Sequence, residues 1–551
     1  MATRAMNGSF ASKSTGRSPV SLDGRIHPAG SIAFLGVLLA GLAYAAGSIL
    51  LDTRHVGEPL AIGAFLFLGL ALVIALGFEF VNGFHDTANA VATVIYTNSL
   101  KPVTAVIWSG LWNFAGVVIS TGAVAYSIIT LLPVDLILQV GSAGGYAMIF
   151  ALLIAAVTWN LGTWWFGLPN SSSHALIGSI LGVGLANQLL SSGPGGTSGV
   201  EWGQAESVLL ALLVSPLMGF IGAGLLLWAM KRVIPNKKLY EEPEGDTPPP
   251  GPIRALLIFT CTAVSFAHGG NDGQKGMGLI MLILIGVAPT AYALNRTMPD
   301  SSTPAFIQAA GQAQAVFHAK AAGRTVAPAQ AGELLRQALR THEADTPEVY
   351  AALDATAGDI SAQLRNYGAI AHVPAAATRN LRNAMYLEFD TMRLLTKDET
   401  KARNDFPNGG DKALKNYQGL LEKGTRYIPT WVKVSVALAL GLGTMVGWKR
   451  IVRTVGERIG KTHLTYGMGA SAELVAAATI LLAQFKGMPV STTHILSSGV
   501  AGTMVADGAG VQTATVRNIA LAWILTLPAA MAISGLLYWL FLGIVHAAGL
   551  H

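Results

Sequence analysis

Apolar runs longer than a soluble helix needs recur along this chain, and two of them carry the same kind of polar cluster. Val81-Asn82-Gly83-Phe84-His85-Asp86-Thr87-Ala88-Asn89-Ala90 lies inside a run from about Ala61 to Ile95. Ala267-His268-Gly269-Gly270-Asn271-Asp272-Gly273-Gln274-Lys275-Gly276 lies inside a run from Ala255 to about Leu294. A helix needs about 20 apolar residues to cross the hydrocarbon core, so both runs read as membrane spans. An ionisable group at that depth costs several kcal/mol, about 3 on insertion scales, which makes Asp86 and Asp272 functional-site candidates. The glycines and amides beside each Asp predict a helix that breaks there and turns backbone groups toward a ligand.

A second motif recurs in the same order. Gly167-Leu168-Pro169-Asn170-Ser171-Ser172-Ser173-His174 follows the first cluster, and Gly487-Met488-Pro489-Val490-Ser491-Thr492-Thr493-His494 follows the second. Two independent motifs repeated in one order indicate an internal duplication. The expected fold is therefore an all-α polytopic membrane protein of about 10–12 segments, an inverted repeat with broken helices or hairpins at the midplane. Its parts read as a polar cytoplasmic tail (1–28), an extra N-terminal transmembrane helix (29–60) and a first membrane repeat (61–230). A charged, Pro-rich cytoplasmic linker (231–253) follows, expected to be extended and solvent-exposed. The second repeat (254–294 and 429–551) is split by a polar helical insertion, 295–428, with a helix start at Thr346-Pro347-Glu348. Further spans are expected at about Val103–Leu132, Gly145–Phe166 and Trp431–Trp448.

Loop charge orients these parts. Lys231, Arg232, Lys237, Lys238 and Arg254 mark one loop as cytoplasmic, and Lys449, Arg450, Arg453, Arg458 and Lys461 mark another. The loops at Pro133-Val134-Asp135 and Gly193-Pro194-Gly195 carry no Lys or Arg and suit the outer face. If each Ser/Thr-His segment with its following run crosses once, each half crosses an odd number of times, the repeats are antiparallel, and the insertion lies outside. The positive excess sits in these boundary loops, so it reports orientation and no nucleic-acid partner. The single Cys261 lies in an apolar run and excludes a disulfide framework or a thiolate metal cluster.

The chemistry follows from placement. Ser171, Ser172, Ser173, Ser491, Thr492 and Thr493 precede apolar helices, where free backbone N–H groups and hydroxyls together make an anion site. Ordinary N-capping is the competing role for such residues. Asp86 and Asp272 have the wrong sign for an anion and the right sign for a metal, sodium or proton carried with it. Asn82, Asn89 and Asn271 offer neutral oxygens to a hard cation. His85, His268, His174 and His494 suit proton relay or metal ligation. Lys275 stands where the first copy has Asn89, and its ammonium either neutralises the charge of a bound anion or pairs with Asp272. Glu79 and Glu473 are further buried-carboxylate candidates of lower rank.

These residues are similar to the inorganic phosphate transporter (PiT) family, whose two signatures read roughly G-A-N-D-x-A-N-A. The resemblance covers about Ala61–Ala229 and Arg254–Val545. His85 in place of the usual Asn, Gln274-Lys275 in place of Ala-Asn, and Pro489-Val490-Ser491-Thr492-Thr493-His494 resemble the bacterial low-affinity Pit subgroup. That resemblance implies an inner-membrane symporter, not an enzyme, moving inorganic phosphate as a neutral metal-phosphate with protons. It implies phosphate on Ser171, Ser172, Ser173, Ser491, Thr492, Thr493 and Lys275. Cation or proton coupling falls to Asp86, Asp272, Asn82, Asn89, Asn271, His85 and His268, with Asp86 and Asp272 facing the metal. Replacement of an Asn by Lys275 argues against sodium. No permanently bound cofactor is expected; the proton and a divalent metal such as magnesium travel as cargo. The partners are phosphate and the lipid bilayer, with homo-oligomerisation open. A sulfate permease or a sodium-coupled phosphate symporter of the same family are the alternatives. An intramembrane hydrolase using the two aspartates lacks a second catalytic group, and a non-transporting sensor would move no substrate.

Overall fold

The computed structural model describes residues 22, 28–57, 61–132, 136–137, 142–190 and 199–549; the side chains of 87–89 also lie outside the described residues. Among these residues the only regular structure is helical. Nine helices are long and apolar enough to cross a membrane, and Thr430–Thr444 with Lys449–Arg458, bent by 54°, makes a tenth. Large apolar side chains face outward on them, Ile62 at 81% exposure and Ile524 at 70% among others. Apolar surface of that extent is stable only against lipid. The tail through His27 and the loops at 133–135 and 193–195 lie outside the described residues apart from Leu22.

The two signature clusters do not break their helices. The first lies within one continuous helix, Ile62–Tyr96, and the second within Gly251–Val287. Their glycines serve close packing instead. A Cβ on Gly83 would sit 2.2 Å from the Leu440 carbonyl, and one on Gly443 would sit 2.1 Å from the Phe80 carbonyl. The first signature helix is thus pressed backbone to backbone on Thr430–Thr444 of the other half. The second crossing repeats this arrangement: a Cβ on Gly116 of Pro102–Ile119 would sit 2.1 Å from the Phe266 carbonyl, and one on Gly269 would sit 2.2 Å from the Asn113 carbonyl. Small residues that let backbones touch are the usual basis of helix association in lipid.

The breaks fall elsewhere. The span expected at 103–132 ends at Ile119, and Gly122, with φ 93°, starts a separate short helix, Ala123–Ile129. The other breaks are at the Pro-x-Ser/Thr motifs, where the helices Ala143–Trp165 and Tyr466–Phe485 stop and the hairpin helices Ser172–Leu190 and Thr492–Ala506 begin. Each hairpin helix packs on the last span of the opposite half, Ser172–Leu190 on Thr513–Ala547 and Thr492–Ala506 on Trp202–Val233. A Cβ on Gly182 would sit 2.2 Å from the Met531 carbonyl, and one on Gly502 2.0 Å from the Phe220 carbonyl. Both pairs of contacts exchange elements between halves in the same way.

The insertion forms its own helical unit around Phe306, Phe317, Leu335, Leu353, Met385 and Tyr417. Thr346 caps the helix Pro347–Tyr367 by accepting from Val349 N, with Pro347 in the first turn. The linker is less extended than its composition suggests. Val233 ends the preceding helix, Lys237–Tyr240 forms a short 3-10 turn, and Leu239, Pro243 and Pro249 are buried. Tyr240 donates to the Met230 carbonyl at 2.6 Å, and Asn98 Nδ2 donates to the Gly245 carbonyl at 2.7 Å, which ties the linker to the loop after the first signature helix.

Candidate functional site

Both hairpin tips converge on Asp86. Ser172 Oγ donates to Asp86 Oδ2 at 2.6 Å, and Thr493 Oγ1 donates to Asp86 Oδ1 at 2.6 Å. One carboxylate therefore receives a hydroxyl from each half of the chain. His85 Nδ1 lies 3.2 Å from the same Oδ1, its Nε2 lies 3.2 Å from Thr163 Oγ1, and Asn82 Oδ1 is 2.7 Å from Ser172 Oγ. A hydroxyl has one proton, so Ser172 divides it between Asn82 and Asp86.

The second cluster is built differently because it contains a cation. Lys275 Nζ is 2.6 Å from Asp272 Oδ1 and also donates to Ser173 Oγ, which in turn donates to the Val490 carbonyl at 2.8 Å. The ammonium thus joins the second signature to the first hairpin, which reaches the second hairpin through Val490. All of these side chains are buried.

Two lone pairs face each other beside this ion pair. His268 Nδ1 lies 2.8 Å from Asn113 Oδ1, an acceptor, so the proton sits on Nδ1 and Nε2 presents its lone pair. Nε2 is 3.4 Å from Asp272 Oδ2, and neither atom makes a hydrogen bond among the described residues. Asp86, His268 and Asp272 each bring a ligand atom within 4.8 Å of the others. Two carboxylates and an oriented imidazole suit a divalent cation, and the Asn113 amide fixes the ring as an outer partner of a metal ligand does.

The remaining candidates take other places. Ser171 and Ser491 accept from the backbone N–H of His174 and His494, 3.2 and 3.1 Å away, so they cap the hairpin helices. Thr492 Oγ1 is buried without a hydrogen bond among the described residues. Asn271 Nδ2 donates to the Met488 carbonyl at 3.2 Å. His174 and His494 meet at a 39° tilt with 4.5 Å between ring centres, and His494 stacks on Trp523 at 3.9 Å. Glu79 Oε2 accepts from Asn82 at 3.3 Å, and Glu473 accepts from Thr93 and, at 2.5 Å, from Thr260. Asn89's side chain lies outside the described residues. Asn113 and Thr163 were not singled out by sequence reasoning. Each is an isolated polar residue in an apolar span, and a polar residue facing inward at that depth is the signal that finds them.

The phosphate transporter family model matches residues 82–534, which takes in both signatures and both hairpins. The low-affinity inorganic phosphate transporter PitA of Escherichia coli K12 is 41% identical, over 89% of this chain and 99% of that one. PitB of the same organism is 39% identical over 88% and 99%, and a low-affinity inorganic phosphate transporter of Buchnera aphidicola from Acyrthosiphon pisum is 39% identical over 87% and 97%. A sodium-dependent phosphate transporter of known structure aligns over 86% of this chain and 98% of its own with a TM-score of 0.47 at 21% identity. With a matching family model over most of its length and transporters of about its own length as relatives, the chain belongs to the phosphate transporter family.

Proposed function

We propose that the chain is a secondary active symporter that carries inorganic phosphate, as a metal-phosphate complex together with protons, across the bacterial inner membrane. Its two halves form antiparallel repeats and alternate access to the site by moving against one another. The observation that carries this reading is how the donors are spent. Ser172 and Thr493 give their protons to Asp86, and Lys275 gives its charge to Asp272 and Ser173. A phosphate oxyanion entering between the hairpins takes those donors for itself, because hydroxyls and ammonium are the groups that satisfy phosphate oxygens. Asp86 and Asp272 then lose these donors, which costs several kcal/mol unless a cation replaces them. Anion and cation must therefore bind together. Asp86, His268 and Asp272 are the residues that would face a divalent metal travelling with the phosphate.

Lys275 bears on which cation drives transport. A fixed ammonium 2.6 Å from Asp272 already fills one cation position of the second signature. That favours protons over sodium as the driving ion.

Labelled-phosphate uptake into proteoliposomes holding the purified protein tests this. An inward proton gradient with magnesium present is expected to drive accumulation, sodium at constant pH is expected to add nothing, and Asp272→Asn is expected to abolish uptake. Sodium-driven uptake without a proton gradient would overturn the coupling while leaving phosphate as substrate. Uptake of sulfate with none of phosphate would overturn the substrate.

A further inference from the structure

At the seam between the insertion and the membrane helices, two arginines are buried together. Arg382, on the helix Ala375–Thr396, is 6% exposed, and the side chain of Arg426, just beyond Gly410–Thr425, is 9% exposed. Arg426 Nη2 lies 3.1 Å from Asp390 Oδ1, but Arg393 Nε reaches the same oxygen at 3.3 Å, so one carboxylate serves two guanidinium groups. Arg382 makes no ion pair among the described residues. Its Nη1 donates to Asn383 Oδ1 at 3.3 Å, its Nε–H is buried without a partner, and its Cζ sits 4.8 Å from the ring centre of Tyr386. Tyr126, on the short helix Ala123–Ile129, completes the group: Arg426 Cζ is 5.4 Å from its ring centre, and its buried hydroxyl has no hydrogen bond among the described residues.

Asp390 is the one carboxylate whose charge reaches Arg382 as well as Arg393 and Arg426, so the buried guanidinium groups are under-compensated, and an N–H and an O–H left unpaired beside them add the desolvation penalty of each group. Burial accordingly depresses the Arg382 guanidinium from its ordinary value. An anion removes all three costs together. Arginine's planar set of donors suits an oxyanion, and a tyrosine hydroxyl adds one more donor. The group is also linked to the transport centre. Val124 N, two residues before Tyr126, donates to Gln274 Oε1 at 2.9 Å, and Gln274 is the neighbour of Lys275.

We propose that Arg382, Arg426 and Tyr126 form a second anion site, at the insertion seam, which holds a tetrahedral oxyanion before it reaches the Lys275–Ser173 centre. That the oxyanion is phosphate rests on the transport reading above. That the seam binds an oxyanion does not.

The test is thermal unfolding of the full chain in detergent, with inorganic phosphate or with chloride at equal ionic strength, in a Lys275→Met, Thr493→Val background that removes the central donors. Phosphate is expected to raise the midpoint in that background, and Tyr126→Phe is expected to weaken the effect about tenfold in phosphate concentration, the loss of one hydrogen bond to a charged group. Arg382→Gln is expected to remove it. Because Arg382→Gln risks misfolding, Tyr126→Phe decides the matter alone, since its hydroxyl makes no hydrogen bond among the described residues. In proteoliposomes Tyr126→Phe is expected to raise the half-saturating phosphate concentration severalfold with the maximal rate unchanged. The seam site is overturned by the absence of a phosphate effect in the Lys275→Met, Thr493→Val background, or by an effect that survives Tyr126→Phe there undiminished. If the shift behaves as expected while the wild-type chain transports no phosphate, the seam site stands and the transport reading falls.

Discussion

Asp86 accepts hydrogen bonds from residues 86 and 407 positions away in the chain, so its role depends on contacts that join the two halves. Removing the Thr493 hydroxyl with Thr493→Val should lower phosphate uptake roughly 10–100-fold, since a hydrogen bond to a charged group is worth about 1.5–3 kcal/mol. Thr493→Ser, which keeps the donor, should retain most of it, and initial uptake rates in proteoliposomes separate the two outcomes. Asn113→Ala should act differently, by freeing the His268 ring to choose its tautomer. The magnesium concentration needed for half-maximal uptake should rise about 10–100-fold, the usual cost of losing an outer partner of a metal ligand. If Asn113→Ala leaves the magnesium dependence unchanged, the Nδ1 bond does not orient a metal ligand. The duplicated motifs named Asp86, Asp272, Lys275, Ser172, Ser173 and Thr493 from sequence. They did not say which hydroxyl meets which carboxylate, because pairing across the halves depends on packing and periodicity within one segment does not encode it. Asn113 was not legible for a related reason: it lies in neither motif, and its value comes from the ring opposite it.

At the scale of elements, the glycines of the signatures were visible and their purpose was not. Gly83 and Gly269 sit in clusters that read as helix breaks, yet both helices run through unbroken, and the positions are small because another backbone lies about 2.2 Å from where a Cβ would be. Sequence periodicity shows which residues are apolar and leaves open how closely two backbones approach. Gly116→Ala should therefore destabilise the fold by about 1–3 kcal/mol, the cost of overpacking a filled interface. Gly69→Ala, on the first signature helix with nothing within 4 Å of the added carbon, should be neutral or slightly stabilising. Melting midpoints of the two purified variants decide the matter; equal losses would mean that the crossing is looser than these contacts require. The hairpin breaks, by contrast, were readable directly, since Pro169 and Pro489 each precede a capping Ser that accepts from a backbone N–H three residues on.

For the molecule as a whole, the insertion adds a pH response of its own. Glu388 is fully buried in it, accepting from the Tyr417 hydroxyl at 3.1 Å, and burial holds its carboxyl well above the ordinary value of 4.5. The folded insertion therefore binds this proton more tightly than the unfolded chain does. Its contribution to stability is complete below pH 4.5 and declines as pH rises from there through the folded value. Glu388→Gln should flatten that decline, and the protection of insertion amides from hydrogen exchange, followed from pH 5 to pH 8, reads it out; an unchanged slope would assign the response to another group.

The insertion's two ends meet where it joins the membrane repeat. Asn295 N donates to the Gly424 carbonyl at 2.8 Å, and Asn295 Nδ2 donates to the Lys423 carbonyl at 2.8 Å, so more than a hundred residues depart from and return to nearly one point. An ancestral gene could have acquired or shed this segment in one event without moving a transmembrane helix. The module can therefore change its sequence at a pace of its own, while the helices beneath it remain held by glycines that tolerate almost no change.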